Sequence, residues 1–377
     1  MRIGVLTLPL HFNFGGILQA YALQTILERE GHEVVVFGKN RQQKFFSLKK
    51  LPIYIYRFAK KYILRKKNVD VFFEAKKSRE FEKICVNTSA FVKSKIHERR
   101  IKSFNELKES DFDVLVVGSD QIWRPRYVKS SWNTNVSNAM LKFAERWNVK
   151  KIAYAASFGT EQWELSPKET EEWKRLAALF NAVSVREKDG VGLCNSYLGV
   201  VAQVVLDPTL LLSKEDYCSL IKNSAVESHN GDFLNYILDS SEKNEKLISQ
   251  IAEKFCLKVF RVNAPVDKDG VSIEKRIQPS VEQWLKGFEQ AKFIATDSFH
   301  ACVFAIIFRK PFVVFLNKNR GCSRIKNLLS TFDLESHLID ESSVISDMHF
   351  YAIPESVYEK LRNLKADSMK FLNKYLV

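Results

Sequence analysis

The clearest chemistry in the chain lies at Asp297 and His300, a carboxylate and an imidazole three residues apart in a mainly apolar run, KFIATDSFHACVFAIIFRKPFVVF, over 292–315. The run reads as a buried strand (292–296), a tight turn at Asp297 and Ser298, an apolar helix (299–309) and a second buried strand (311–315). Both ionisable groups then fall where the carboxyl end of a strand meets the amino end of a helix. Open α/β sheets bind ligands there, because free backbone N–H groups converge. Histidine titrates near neutral pH, which suits His300 to general acid work. Taken by itself, the stretch also fits a hydrogen-bonded core histidine and an Asp297 helix cap. That structural reading leads until the rest of the chain is read.

Four further groups sit at comparable positions. In DFDVLVVGSDQIWRP a strand (113–117) runs into Asp120, Gln121, Trp123 and Arg124. Carboxylate and amide beside an indole are the parts that hold a sugar, by paired hydroxyl hydrogen bonds and an apolar ring face. AVSVREKDG ends a strand on Arg186, whose guanidinium can clamp a carboxylate or phosphate or pair with Glu187 or Asp189. HFNFGGILQAYALQ places Gly15 and Gly16 before a helix expected over 17–29. Without a Cβ, their N–H groups can approach an anion, although a tight turn with no ligand fits as well. The loop is not G-x-G-x-x-G and no acidic residue closes the next strand, which disfavours a dinucleotide. Finally, NKNRGCSRIKNLL sets Arg320 and Arg324 at the start of a helix, a second place suited to anions.

Strands alternating with helices must carry these groups. The chain opens βαβ, and after VVLDPTLLLS, where Asp207-Pro208 stops a strand, a second βα series begins. A chain of 377 residues exceeds one ordinary core. The expected organisation is α/β, with a first domain over 1–207 that includes the insertion 41–103, a second over 208–350, and a helix in 351–377 packing back on the first. With 46% hydrophobic and 27% charged residues the composition is that of an ordinary globular protein, and no apolar run approaches the roughly 18 residues of a spanning helix. MRIGVLTLPL reads as a strand and not a signal peptide, which predicts a cytoplasmic protein. The six cysteines have no C-x-x-C or zinc spacing, so reduced thiols and no metal site are expected.

The net charge is +14, and residues 41–103 hold 19 Lys and Arg against 5 Asp and Glu, so one inserted segment accounts for the excess. Within it, residues 48–67 alternate apolar with basic residues and from Pro52 fit a basic amphipathic helix, suited to peripheral contact with an anionic membrane at its inner face or simply to packing on its own domain. No nucleic-acid motif accompanies it, and no nucleic-acid partner is expected.

In order, HFNFGGILQAYALQ, VGSDQIW, AASFG, SVREKDG, LDPTLLL, TDSFHACVFAIIFRKPFVVF and NRGCSRI resemble the polysaccharide pyruvyl transferase family over roughly 2–338. The resemblance implies two Rossmann-like domains facing across a cleft, similar to GT-B glycosyltransferases. It also implies transfer of pyruvate from phosphoenolpyruvate, as co-substrate and with no further cofactor, to a glycan or lipid-linked saccharide as a cyclic ketal. By the same resemblance His300 matches the family's active-site histidine and Arg186 its donor-binding arginine. Where many members have arginine two residues before that histidine, this chain has Ser298, and Arg320 or Arg324 is expected to restore the missing charge. Gly15, Gly16 and Ser298 join the donor side, with Asp120 as the group that orients or deprotonates the sugar above Trp123 and beside Gln121. The rivals are a nucleotide-sugar glycosyltransferase of GT-B-like fold and a catalytically silent partner in a polysaccharide assembly complex.

Overall fold

The computed structural model describes residues 1–39, 50–66, 69–132, 134–266, 270–316, 322–340, 343 and 351–376. Seven strands form the first sheet: β1 (Arg2–Leu6), β2 (Glu33–Lys39), β3 (Glu98–Ile101), β4 (Val114–Val117), β5 (Lys150–Ala156), β6 (Ala182–Val185) and β7 (Gln203–Val204). Five form the second: β8 (Phe233–Tyr236), β9 (Val259–Phe260), β10 (Phe293–Thr296), β11 (Phe312–Phe315) and β12 (Leu338–Ile339). Their orders are β3-β2-β1-β4-β5-β6-β7 and β12-β11-β10-β8-β9, and the pairings are parallel throughout. Central strands such as VLVV of β4 and FIAT of β10 are buried at every residue, as parallel strands covered on both faces must be. The protein is therefore α/β in two domains.

In each sheet the strand order reverses once, between β1 and β4 in the first and between β8 and β10 in the second. The loops leaving the carboxyl ends of those strands open the crevice in which such sheets bind ligands. Those loops carry Phe12 and Asn13, Asp120, and Asp297 and Ser298.

The inserted basic segment is less separate than its charge suggests. It contributes helices Leu51–Tyr62, Phe73–Ile84 and Val86–Lys95, but its end is β3, the edge strand paired with β2 from Val36↔Glu98 to Lys39↔Ile101. Residues 48, 49 and 67 of the basic stretch lie outside the described residues.

The two domains share one apolar core. Phe14, in the first turn of the Phe14–Arg29 helix, stacks on Trp284 of the second domain with ring centroids 5.3 Å apart. The Glu355–Leu376 helix completes the join. Its Ser368 hydroxyl accepts a hydrogen bond from Leu206 N at 3.0 Å, and its Tyr358 hydroxyl donates to Ile306 O at 3.3 Å. A continuous apolar seam of this kind holds the two crevices in one mutual position.

Candidate active site

The helix expected over 299–309 runs from Phe299 to Ile307, all nine of its residues buried, and ends at Arg309 in the left-handed region (φ 57°). Ser298 occupies the N-cap position but makes no side-chain capping bond, so the first-turn N–H groups lack the usual hydroxyl acceptor. Asp297 does not cap this helix. Its carboxylate accepts from Leu238 N at 2.8 Å and Asp239 N at 3.0 Å, tying the loop after β10 to the loop after β8.

His300 leaves this helix towards the other domain. Its Nε2 stands 3.8 Å from Asp207 Oδ2 and, although buried, has no hydrogen-bond partner among the described residues. Its ring lies directly on the backbone of Gly15, where an added Cβ would fall 2.0 Å from His300 Nδ1. That contact revises the reading of the glycine pair. The helix expected from residue 17 begins at Phe14, so both glycines lie in its first turn. Gly16 N is spent on the cap Asn13 Oδ1 at 3.2 Å, and Gly15 is small because His300 occupies the volume of its side chain. Gly15→Ala is expected to cost about 1–3 kcal/mol by overpacking and to lower turnover by about 10²-fold through displacement of the ring. Thermal melting and steady-state kinetics check the two effects separately.

Asp207, read from sequence as the stop of a strand, is the hub of the cluster. Its Oδ2 accepts from Arg186 Nη1 at 2.6 Å and from the Ser119 hydroxyl at 3.0 Å, and its Oδ1 accepts from Thr209 N and Oγ1 at 3.0 and 2.6 Å. Burial works against a charge here, but His300 and Arg186 outweigh it and hold the carboxyl well below the usual carboxylate range. The sequence signal for it is its place in LDPTLLL, where it reads as the stop of a strand and not as a site residue.

Arg186, 2% exposed at the side chain, also donates from Nε to Glu187 Oε1 at 3.1 Å, while Nη2 stands 3.8 Å from Asp120 Oδ1 and is buried without a hydrogen bond among the described residues. The pairing with Glu187 is present, whereas Asp189 instead accepts from Asn327 at 2.9 Å. Burial opposes the Arg186 charge, and Glu187, Asp207 and Asp120 together raise its pKa above the ordinary arginine value. Its guanidinium carbon lies 4.2 Å from the centroid of the Phe299 ring, and that of Arg324 lies 5.9 Å from the same ring. Arg324, buried in the first turn of the Cys322–Thr331 helix, has its pKa lowered by burial and then by repulsion from Arg186. The two arginines, Phe299 and Asp207 line a cavity of about 290 Å³ whose wall also includes Leu206 and Lys370. Arg320 lies outside the described residues.

Of Asp120, Gln121 and Trp123, the cluster gathers Asp120 only. Asp120 sits at φ 64°, a left-handed conformation that aspartate tolerates better than most residues, and it bridges to Ala156 across the strand ends. Gln121 turns away, its Oε1 accepting from Arg124 Nη1 at 3.2 Å. Trp123 does not form a sugar platform. It is 0% exposed, its Nε1 donates to Ala139 O at 3.2 Å, and its ring packs on Phe158 and Trp173 in the core. An indole with no accessible face cannot stack on a ligand.

Comparison with known proteins adds the family. The chain is similar in structure to UDP-GlcNAc 2-epimerase from Neisseria meningitidis bound to UDP-GlcNAc (TM-score 0.51, 11% identity, covering 100% of this chain and 99% of that one). It is also similar to UDP-GlcNAc 2-epimerase from Methanocaldococcus jannaschii (TM-score 0.43, 13% identity, 96% and 92% covered) and to spinosyn forosaminyltransferase (TM-score 0.43, 10% identity, 98% and 95% covered). At these identities the likeness concerns the fold, which is GT-B-like. No curated protein matches the sequence. The model of the family described as polysaccharide pyruvyl transferase matches residues 13–319, from the cap of the first helix past the His300 helix and β11. The chain belongs to the polysaccharide pyruvyl transferase family.

Proposed function

We propose that the protein transfers pyruvate from phosphoenolpyruvate to a sugar of a polysaccharide or of its lipid-linked precursor, forming a cyclic ketal. The observation that carries this reading is the pair of buried guanidinium groups, Arg186 and Arg324, over one Phe299 ring beside His300. Two like charges in a low-dielectric site repel, and Arg324 is depressed in part for that reason. A small ligand with both a carboxylate and a phosphate relieves the repulsion, and the uncapped turn at Ser298 adds N–H donors.

Asp207 faces His300 Nε2, so Nδ1, over Gly15, delivers the proton. The proton goes to the methylene carbon of phosphoenolpyruvate, and the neighbouring carbon becomes electrophilic. One sugar hydroxyl bonds to that carbon and a second closes the ring as phosphate leaves; one hydroxyl proton restores His300 and the other departs with the phosphate. Asp120, 3.8 Å from Arg186 Nη2, orients or deprotonates the sugar at the donor's edge.

Calorimetric titration with phosphoenolpyruvate against a panel of nucleoside diphosphates tests the donor. Arg324→Gln is expected to weaken phosphoenolpyruvate binding about 10- to 100-fold, the equivalent of ~1.5–3 kcal/mol for a charged hydrogen bond. Tighter binding of a nucleoside diphosphate would move the assignment to a nucleotide-sugar glycosyltransferase. Donor binding without phosphate release on any glycan would leave a silent partner of polysaccharide assembly.

A further inference from the structure

The helix Leu51–Tyr62 turns only Tyr54 inward, where its ring meets Phe72 at 5.4 Å. Around it, Ile55, Tyr56, Phe58 and Tyr62 are 54–63% exposed, and Ile63 and Leu64 just beyond the helix are 73% and 64% exposed. Apolar residues of this size at such exposure, contiguous on one element, mark a contact surface. Cations are interleaved with them. Lys50 and Arg57 share Glu74, whereas among the described residues Lys60 and Lys61 contact only rings, those of Tyr56 and Tyr62, each at 5.6 Å. Arg65 and Lys66 continue the positive charge into solvent.

We infer that this face docks the protein on an anionic lipid bilayer. The mixture selects the occupant. Nucleic acid would use the cations but gain nothing from exposed Ile55, Ile63 and Leu64. A second copy related by a two-fold axis would set the same basic residues against themselves. An anionic bilayer takes both parts, with the apolar side chains entering the headgroup boundary and Lys60, Lys61, Arg65 and Lys66 remaining among the phosphates. The helix lies on the surface, since no helix among the described residues is long and apolar enough to cross.

The face is coupled to the cleft. Phe81 of the adjoining Phe73–Ile84 helix meets His11 and Phe12 at 5.2 and 5.9 Å, and these residues end the loop that places Gly15 under His300. Docking here holds the cleft beside the bilayer, where a lipid-linked saccharide would present its sugar; this part rests on the proposed function.

The test is co-flotation of the full chain with vesicles of phosphatidylcholine, alone or mixed with phosphatidylglycerol. Binding is expected only to the mixed vesicles, falling about tenfold from low to high salt. The double variant Ile55→Asp, Phe58→Ser and the double variant Lys60→Glu, Lys61→Glu are each expected to lose at least about tenfold in binding. Both keep turnover on a water-soluble acceptor. Absence of binding at low salt, or undiminished binding by the variants, would overturn the inference, as would a dimer in sedimentation that the same substitutions dissolve. Vesicle binding that persists in a protein unable to turn over phosphoenolpyruvate would separate failure of the proposed function from failure of the docking.

Discussion

Replacing His300 by glutamine is expected to lower phosphate release from phosphoenolpyruvate by about 10²–10⁴-fold, the range supplied by a positioned general acid. Glutamine retains the length and one polar atom facing Asp207, but it has no proton to give at working pH. The loss should therefore appear in kcat. Binding of phosphoenolpyruvate should change little, because Arg186 and Arg324 are untouched, and the melting temperature should stay close to that of the parent, since Gly15 still meets a planar group. Turnover within a few-fold of the parent would remove His300 from the chemistry and leave it a buried residue at a domain seam.

Asp207→Asn should act on stability first. The carboxylate receives Arg186 at 2.6 Å together with Ser119 and Thr209, and all of these groups are buried. Removing its charge leaves the Arg186 guanidinium with Glu187 and the more distant Asp120, and breaking a buried pair in this way costs about 3–5 kcal/mol. The pH dependence has a definite sign. The folded carboxyl sits below its ordinary value, so its contribution is complete above the unfolded pKa of about 3.9 and is lost as the pH falls below it. The stability gap between parent and variant should be constant above about pH 5 and narrow progressively as the pH falls below about 4. A gap that did not narrow there would place the effect in packing and not in charge. Because Asp207 also faces His300 at 3.8 Å, the variant should lose activity even where it remains folded.

The strands and helices around the site are largely legible in the chain, and the reason is local. FIAT and FVVF are short apolar runs bounded by turn residues, and only a doubly covered parallel strand accommodates them. Boundaries slipped where a tertiary contact intervened. The first helix starts at Phe14 and not at residue 17, because Asn13 caps it and Gly15 is free to enter it. The basic insertion closes as β3 because β2 offers an unpaired edge, which neither charge nor periodicity reveals.

The site divides in the same way. Residue type and position at strand ends single out His300, Arg186, Asp120 and Arg324, and these come together across the seam with Asp207 and Phe299. Trp123 and Gln121 carry the right chemistry for a sugar, but Trp123 packs on Phe158 and Trp173 in the core and Gln121 is engaged by Arg124, contacts set by tertiary packing. What the amino-acid sequence determined by itself was the α/β class, the family and the residues able to do the chemistry, since these depend on local pattern and side-chain type. The tertiary structure alone decided that Asp207 faces His300, that Gly15 is small to admit a histidine from the other domain, and that one phenylalanine ring underlies two arginines. Those relations join residues far apart in the chain, and only the packing of two sheets on a shared core fixes the distances between them.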